Sequence, residues 1–186
     1  MKKIILLLSL FFFLTINAQE KNPVSYMNIS IYQDINLLYF GDKMGNDALT
    51  TDILIKYEIG MFKLKNSSVN FNVGLEYADL TTSNFYRFFV GIGYAFQVPV
   101  LKKIKFTGFV DHGLIFRGEG KKAGGNSESE TSFMGVSLGL EASYPIYERL
   151  RVSAMYQLAD RKDLAERIGT NKRLGHSLFV GVKYEL

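Results

Sequence analysis

The chain has 186 residues and a formal net charge of +4, with 47% hydrophobic and 22% charged residues; that fits one ordinary domain or two small ones and excludes wholesale disorder. It contains no cysteine, which removes disulfide scaffolds, zinc ribbons, thiol catalysis and lipid attachment through an N-terminal Cys. Its 17 Gly, 15 Phe and 11 Tyr, beside only 3 Pro, lean toward β structure.

Lys2 and Lys3 open the chain, and an apolar run extends from Ile4 to Ile16. Asn17-Ala18 then supplies a small residue for cleavage. This is the layout of a secretory signal peptide over residues 1–18, with Gln19 as the first mature residue. The run is shorter than the roughly 20 apolar residues a membrane helix needs. Removing Lys2 and Lys3 lowers the net charge to +2, so the basic balance says little about partners. The remaining basic residues stand singly or in pairs, and no nucleic-acid partner is expected.

Beyond Pro23, apolar and polar residues alternate with a period of two, the signature of strands. The pattern recurs over 26–40, 49–62, 68–80, 85–97, 104–117, 133–144, 149–158 and 173–186. One face of each segment is almost continuously apolar: Met27, Ile29 and Ile31; Ile53, Ile55 and Tyr57; Phe71, Val73 and Leu75; Phe88, Val90 and Ile92; Phe106, Val110 and Leu114; Leu138 and Leu140; Val152 and Tyr156; Val180 and Val182. The other face mixes charge, amide, hydroxyl, aromatic and glycine. No long helical period competes, and only 163–168 reads as a helical turn. The connections 63–67, 98–103 and 145–148 are short, whereas 41–48, 118–132 and 159–172 are longer; 80–84 is barely longer than a turn. No proline interrupts a segment, where a missing N–H would break the ladder. Eight such segments joined up and down predict an all-β, eight-stranded antiparallel barrel with no free edge. It occupies residues 19–186, with no second domain expected.

An alternating barrel can be a soluble carrier with its apolar face inward, or a transmembrane barrel with that face outward. Three features favour the membrane. Nine strand glycines lie on the mixed face (Gly60, Gly74, Gly91, Gly93, Gly113, Gly135, Gly139, Gly175 and Gly181) against Gly108 alone on the apolar face, which suits the crowded interior of eight strands. The segments match the about 9–11 residues a spanning strand needs. Short turns alternate with longer loops, as in outer-membrane barrels. Tyr39, Tyr86, Tyr94, Phe96, Phe116, Tyr144 and Tyr184 stand near segment ends and are expected to supply interfacial girdles.

The mature chain resembles the small eight-stranded outer-membrane barrels of Gram-negative bacteria, the OmpA/OmpX/OmpW-like architecture. The last segment, Phe179 to Leu186, resembles the terminal signal read by the barrel-assembly machinery. Gly181 is followed three residues later by Tyr184, and Leu186 ends the chain where Phe is usual. The resemblance implies outer-membrane location after export through a cleaved signal peptide. It also implies contact with outer-membrane lipid and lipopolysaccharide, and assembly by that machinery. It transfers no site.

Some small barrels resemble lipid A-modifying enzymes, with His and Ser two residues apart on the lipid-facing wall. His112 and His176 both lie on the apolar face, but two residues on stand Leu114 and Leu178, and Ser177 belongs to the opposite face. No oriented hydroxyl–imidazole pair forms, so no enzyme is expected, and no catalytic residue, metal or cofactor is assigned. On the mixed face, Glu58, Glu76, Arg87, Lys105, Asp111, Glu141, Arg151 and Lys183, with Lys56 and Arg117, are expected to pair as a lumen charge network, because buried charges must be compensated. The bland reading is a structural plug; the alternative is a polar pore. Two further readings stay open for the whole protein. Display of the 118–132 and 159–172 loops would give a structural or surface-interaction role toward an unidentified ligand. Passage of small or apolar solutes would use Tyr32, Phe89, Phe109, Phe133 and Phe179 as lining.

Overall fold

The computed structural model describes residues 26–41, 48–63, 67–79, 84–117, 130–133, 136–160 and 174–186, with backbone alone at 117 and 130–133. The signal segment 1–18, most of the 118–132 and 159–172 loops, the helical turn read at 163–168, and Gly135 lie outside the described residues.

The elements are β1 (Tyr26–Asp34), a one-turn helix α1 (Ile35–Tyr39), β2 (Asp52–Lys63), β3 (Ser67–Asp79), β4 (Asn84–Gln97), a 3-10 turn (Pro99–Leu101), β5 (Lys105–Arg117), β6 (Glu130–Phe133), β7 (Ser137–Pro145), β8 (Leu150–Asp160) and β9 (Leu174–Glu185). Sequential strands pair antiparallel, and β9 returns to β1. β6 and β7 both pair with β5, one near each end of it, so together they make one wall. The result is a closed eight-stranded barrel. Closure satisfies backbone N–H and C=O groups that an open edge would leave bare, as a chain in hydrocarbon requires.

Following paired residues once around fixes the stagger. The row runs Asn28, Glu58, Asn72, Gly91, Asp111, Ser137, Ala159 and Gly175. It arrives ten residues from Glu185, the β9 partner of Asn28. A shear of ten on eight strands tilts the strands by about 40° and leaves a lumen only as wide as the side chains that fill it.

The wall separates the two residue sets cleanly. Ile31, Val110, Leu138 and Leu140 point outward and are 49–51% exposed, while Asn28, Ser30, Lys56, Glu58, Arg87 and Glu141 point inward and are buried. In water that exposed apolar surface would be far larger than a soluble monomer tolerates. The fold is therefore a transmembrane barrel, and the inside-out pattern excludes the soluble carrier. Aromatic side chains frame the band. Tyr94, Phe96 and Phe106 stack in series near the turn-bearing end, with centroids 6.0 and 5.7 Å apart. Tyr77 and Tyr86 meet at 4.9 Å near the loop-bearing end.

The first segment departs from its expected course. Strand geometry stops at Asp34, whose Oδ1 accepts from the backbone N–H of Asn36 at 2.8 Å and of Leu37 at 3.4 Å. That N-cap starts α1. Leu37, expected on the outer face, turns inward instead and joins Ala78, Phe85, Ile115 and Ala159 in an apolar cluster. Tyr39 leaves the girdle and lies on the exposed helix. β2 starts at Asp52 rather than 49, because Leu49 adopts φ 69°, a turn conformation no strand accepts. Met61 sits at a register shift between Gly60 and Phe62, so the outer set moves by one there.

Val110 lies midway along β5 on the outer wall. Val110→Arg is expected to cost about 2–4 kcal/mol of folding stability in lipid bilayers. A change below about 0.5 kcal/mol, the range of neutral surface substitutions, would mean that this wall faces water.

Candidate functional site

Alternation within each strand aims one charge-bearing set at the axis, and the register decides which charges meet. Lys56 and Glu58 are two residues apart on β2 and so share the inner face. Glu141 comes from β7 and Lys183 from β9. Lys56 Nζ lies 2.6 Å from Glu141 Oε2 and 3.3 Å from Glu58 Oε1. Lys183 Nζ lies 2.6 Å from Glu58 Oε2 and also pairs with Glu141. Two cations and two carboxylates thus alternate in a closed square, each no more than 2% exposed. Asn28 Nδ2 donates to Glu58 Oε2 at 3.3 Å. The square is electrically neutral, and each charge touches two of opposite sign. That is the condition under which the desolvation cost of burial can be offset.

A second group lies nearer the loop end. Arg87 on β4 pairs with Glu76 on β3, and the two are direct register partners. The same guanidinium donates to Gln157 Oε1 at 3.3 Å, and Gln157 Nε2 donates to Ser137 Oγ at 3.1 Å. This chain links β3, β4, β8 and β7 across the lumen.

The expected network therefore divides. Glu58, Glu141 and Lys183 come together with Lys56; Glu76 and Arg87 form a separate pair. Asp111 stands apart from both, with its carboxylate laid over Gly91. Lys105 is directed to the Tyr26 ring, 3.9 Å from its centroid. The Tyr26 hydroxyl accepts from Ser68 and Asn70 at 3.2 and 3.3 Å. Arg151 donates to Ser143 Oγ at 3.1 Å and to the Ser143 carbonyl at 2.9 Å. It thus ties the end of β7 to β8 at the turn end. Among the described residues, Lys105 makes a cation–π contact and Arg151 bonds a hydroxyl and a carbonyl in place of the expected ion pairs.

Both histidines sit on the outer wall. The β4–β5 register continues through Val90↔His112 without a bulge, so His112 is not turned inward. His176 Nδ1 shares a 2.6 Å hydrogen bond with the hydroxyl of Tyr156, its neighbour across β8 and β9. The group beside His176 is therefore a phenol, and Ser177 faces away on the inner side. Sequence spacing missed this pair because Tyr156 and His176 are close only through the β8–β9 register, as diagonal neighbours of the paired Leu158↔His176.

No protein-family profile and no curated protein matches the chain. Solved structures do. The crystal structure of Ail, the attachment invasion locus protein of Yersinia pestis, is 13% identical, with a TM-score of 0.52 over 87% of this chain and 97% of that one. A major outer membrane protein from Thermus thermophilus is 10% identical, with a TM-score of 0.50 over 87% of this chain and 98% of that one. A de novo designed transmembrane β-barrel is 13% identical, with a TM-score of 0.50 over 88% and 97%. At these identities the likeness establishes the fold: the small, closed, eight-stranded barrel of outer-membrane proteins.

Lys183→Met is expected to lower unfolding stability by about 3–5 kcal/mol, since it leaves Glu58 and Glu141 buried with one ammonium between them. Adding Glu58→Gln, which restores a one-to-one balance, is expected to recover part of that loss in a urea titration. Arg87→Ala should likewise lower the midpoint more than Lys162→Ala in the 159–172 segment. Equal midpoints would argue against an energetic role for the interior charges.

Proposed function

We propose that this chain is an outer-membrane barrel with a structural or surface-interaction role. It is exported by the signal peptide at residues 1–18, inserted by the barrel-assembly machinery through the Gly181–Tyr184–Leu186 signal, and held among outer-membrane lipid and lipopolysaccharide. The observation that carries the reading is the pairing of a broad exposed apolar band with a lumen whose charges are buried and mutually satisfied. Such a barrel offers the lipid a wall and keeps its axis full. What is left for recognition is the chain between strands. The 118–132 and 159–172 segments are polar, rich in Gly or charge, and the strands that carry them end on the same side of the barrel, which suits display. Ail shares the architecture, is named an attachment protein, and has been solved in complex with the heparin analogue sucrose octasulfate. That is consistent with display as a use of this scaffold.

The alternative of a narrow channel for small or apolar solutes draws on Tyr32, Phe89, Phe109, Phe133 and Phe179; the Phe133 side chain lies outside the described residues, and the other four point inward. Their burial at 0–1% for Tyr32, Phe89 and Phe179, and 5% for Phe109, favours a filled axis over a lined passage. No serine shares the lipid-facing wall with either histidine in the spacing of the lipid A-modifying enzymes; the group bonded to His176 is the Tyr156 phenol.

Fractionation of Gram-negative cells expressing the full chain is expected to place it with outer-membrane markers. Unheated gel samples should migrate differently from boiled ones, and added protease should cut within 118–132 or 159–172 on intact cells. Recovery as a soluble periplasmic monomer would overturn the reading.

A further inference from the structure

The inner face of every wall repeats one order. From turn end to loop end, β1 reads Ser30, Tyr32, Asp34, and β2 reads Lys56, Leu54, Asp52. β3 reads Asn72, Gly74, Glu76; β4 reads Gly91, Phe89, Arg87. β5 reads Thr107, Phe109, Asp111; β7 reads Glu141, Gly139, Ser137. β8 reads Ser153, Met155, Gln157; β9 reads Lys183, Gly181, Phe179, Ser177. An apolar or glycine position is thus bracketed by polar ones all the way around, β4 differing only in having Gly91 on the turn side. Tyr32, Leu54, Phe89, Phe109, Met155 and Phe179 form one contiguous buried cluster.

Six walls supply those side chains, and the remaining two supply glycine. The Phe89 ring occupies the space a Cβ at Gly74 would need, and the Phe109 ring does the same at Gly139. Each aromatic is the direct register partner of the glycine it covers. The cluster therefore reaches all eight walls. Cations rest on it from both sides: Lys56 Nζ is 4.9 Å from the Phe109 centroid, and Arg87 Cζ is 4.7 Å from that of Phe89. On the turn side, around the charge square, the hydroxyls of Ser30 and Ser153 and the Oδ1 of Asn70 are buried without a hydrogen-bond partner. The Tyr32 hydroxyl is in the same state, and so, on the loop side, are Asp34 Oδ2 and Asp111 Oδ1. Buried polar atoms in that state call for internal water.

We propose that a dry aromatic–aliphatic septum crosses the lumen, and that the septum rather than the ion pairs blocks passage through the barrel. The inference rests on the membrane-barrel reading and adds what closes the axis. Ion pairs by themselves are polar and can carry water and ions along a wall. A full apolar cross-section excludes both by dewetting.

The test is potassium conductance of the full chain in planar lipid bilayers, with heat-dependent gel mobility confirming that each variant is an inserted barrel. Wild type is expected to be silent. The double variant Phe89→Ala/Phe109→Ala, or Phe179→Ala alone if the double does not insert, is expected to raise conductance at least about tenfold, as for loss of a hydrophobic constriction. Lys183→Met/Glu58→Gln, which thins the charge square but keeps the septum, is expected to stay silent. Three results would overturn the septum: a conducting wild type, silent but inserted septum variants, or conduction by the charge variant. Failure of wild type to insert would instead count against the membrane reading.

Discussion

A closed eight-stranded wall gives each side chain only two destinations. Backbone groups are consumed by strand pairing, and successive residues point to opposite sides. A residue therefore meets either hydrocarbon or a lumen a few side chains wide. Everything else in this molecule follows from that division. The outer set can be simple, because lipid asks only for apolar surface with aromatics near the interfaces. The inner set must solve a packing problem and an electrostatic problem together, in a space fixed by eight strands and a shear of ten.

The charge square is one part of that solution. Burying Lys56, Glu58, Glu141 and Lys183 brings no obvious net stability over an apolar core, since each ion gives up its hydration. Its stronger effect is on choice of register. Slipping one strand by a single residue would carry its inner set to the outer face. For β2 that would place Lys56 and Glu58 in lipid and leave Glu141 and Lys183 short of partners. A cation near the bilayer midplane alone costs about 2–4 kcal/mol. The glycines act in the same direction by shape. Gly74 and Gly139 accept aromatic rings from their register partners, so only the native pairing gives Phe89 and Phe109 the space their rings occupy. Charge and shape thus select the same stagger independently.

The sequence carried most of this in its period of two. Strand number, the segregation of glycine, and the inward sets could be read from 26–40 through 173–186 because alternation is local. What escaped was whatever depends on which residues of different strands share a level. The inward charges were visible, but their sorting into a square, a Glu76–Arg87 pair and the separate contacts of Lys105 and Arg151 is a property of register. The inward aromatics read as lining for a passage, because a list of faces does not reveal that Phe89 and Phe109 each lie over a glycine next door. The first segment was misread for another reason. Ile35, Leu37 and Tyr39 continue the apolar alternation past Asp34, and the signal to stop was a single side-chain cap on the backbone of Asn36 and Leu37. Local hydrogen bonding at one aspartate outweighed three residues of pattern, since a helical turn folded over the mouth buries Leu37 where a longer strand would leave it exposed.

That turn also bears on the asymmetry of the two ends. At the loop end, α1 and the cluster of Leu37, Ala78, Phe85, Ile115 and Ala159 place a further apolar layer above the Arg87–Glu76 pair. At the turn end the first groups met are Tyr26, Lys105 and Arg151, all only partly buried. The axis therefore meets apolar, polar and apolar side chains in turn from the loop side, and polar ones at the turn side. A molecule whose work were transport would gain nothing from two apolar layers across its path. A molecule that holds those loops at a surface gains a rigid floor under them. On the proposed reading of a scaffold that presents chain, the distribution of layers along the axis counts for more than any single residue.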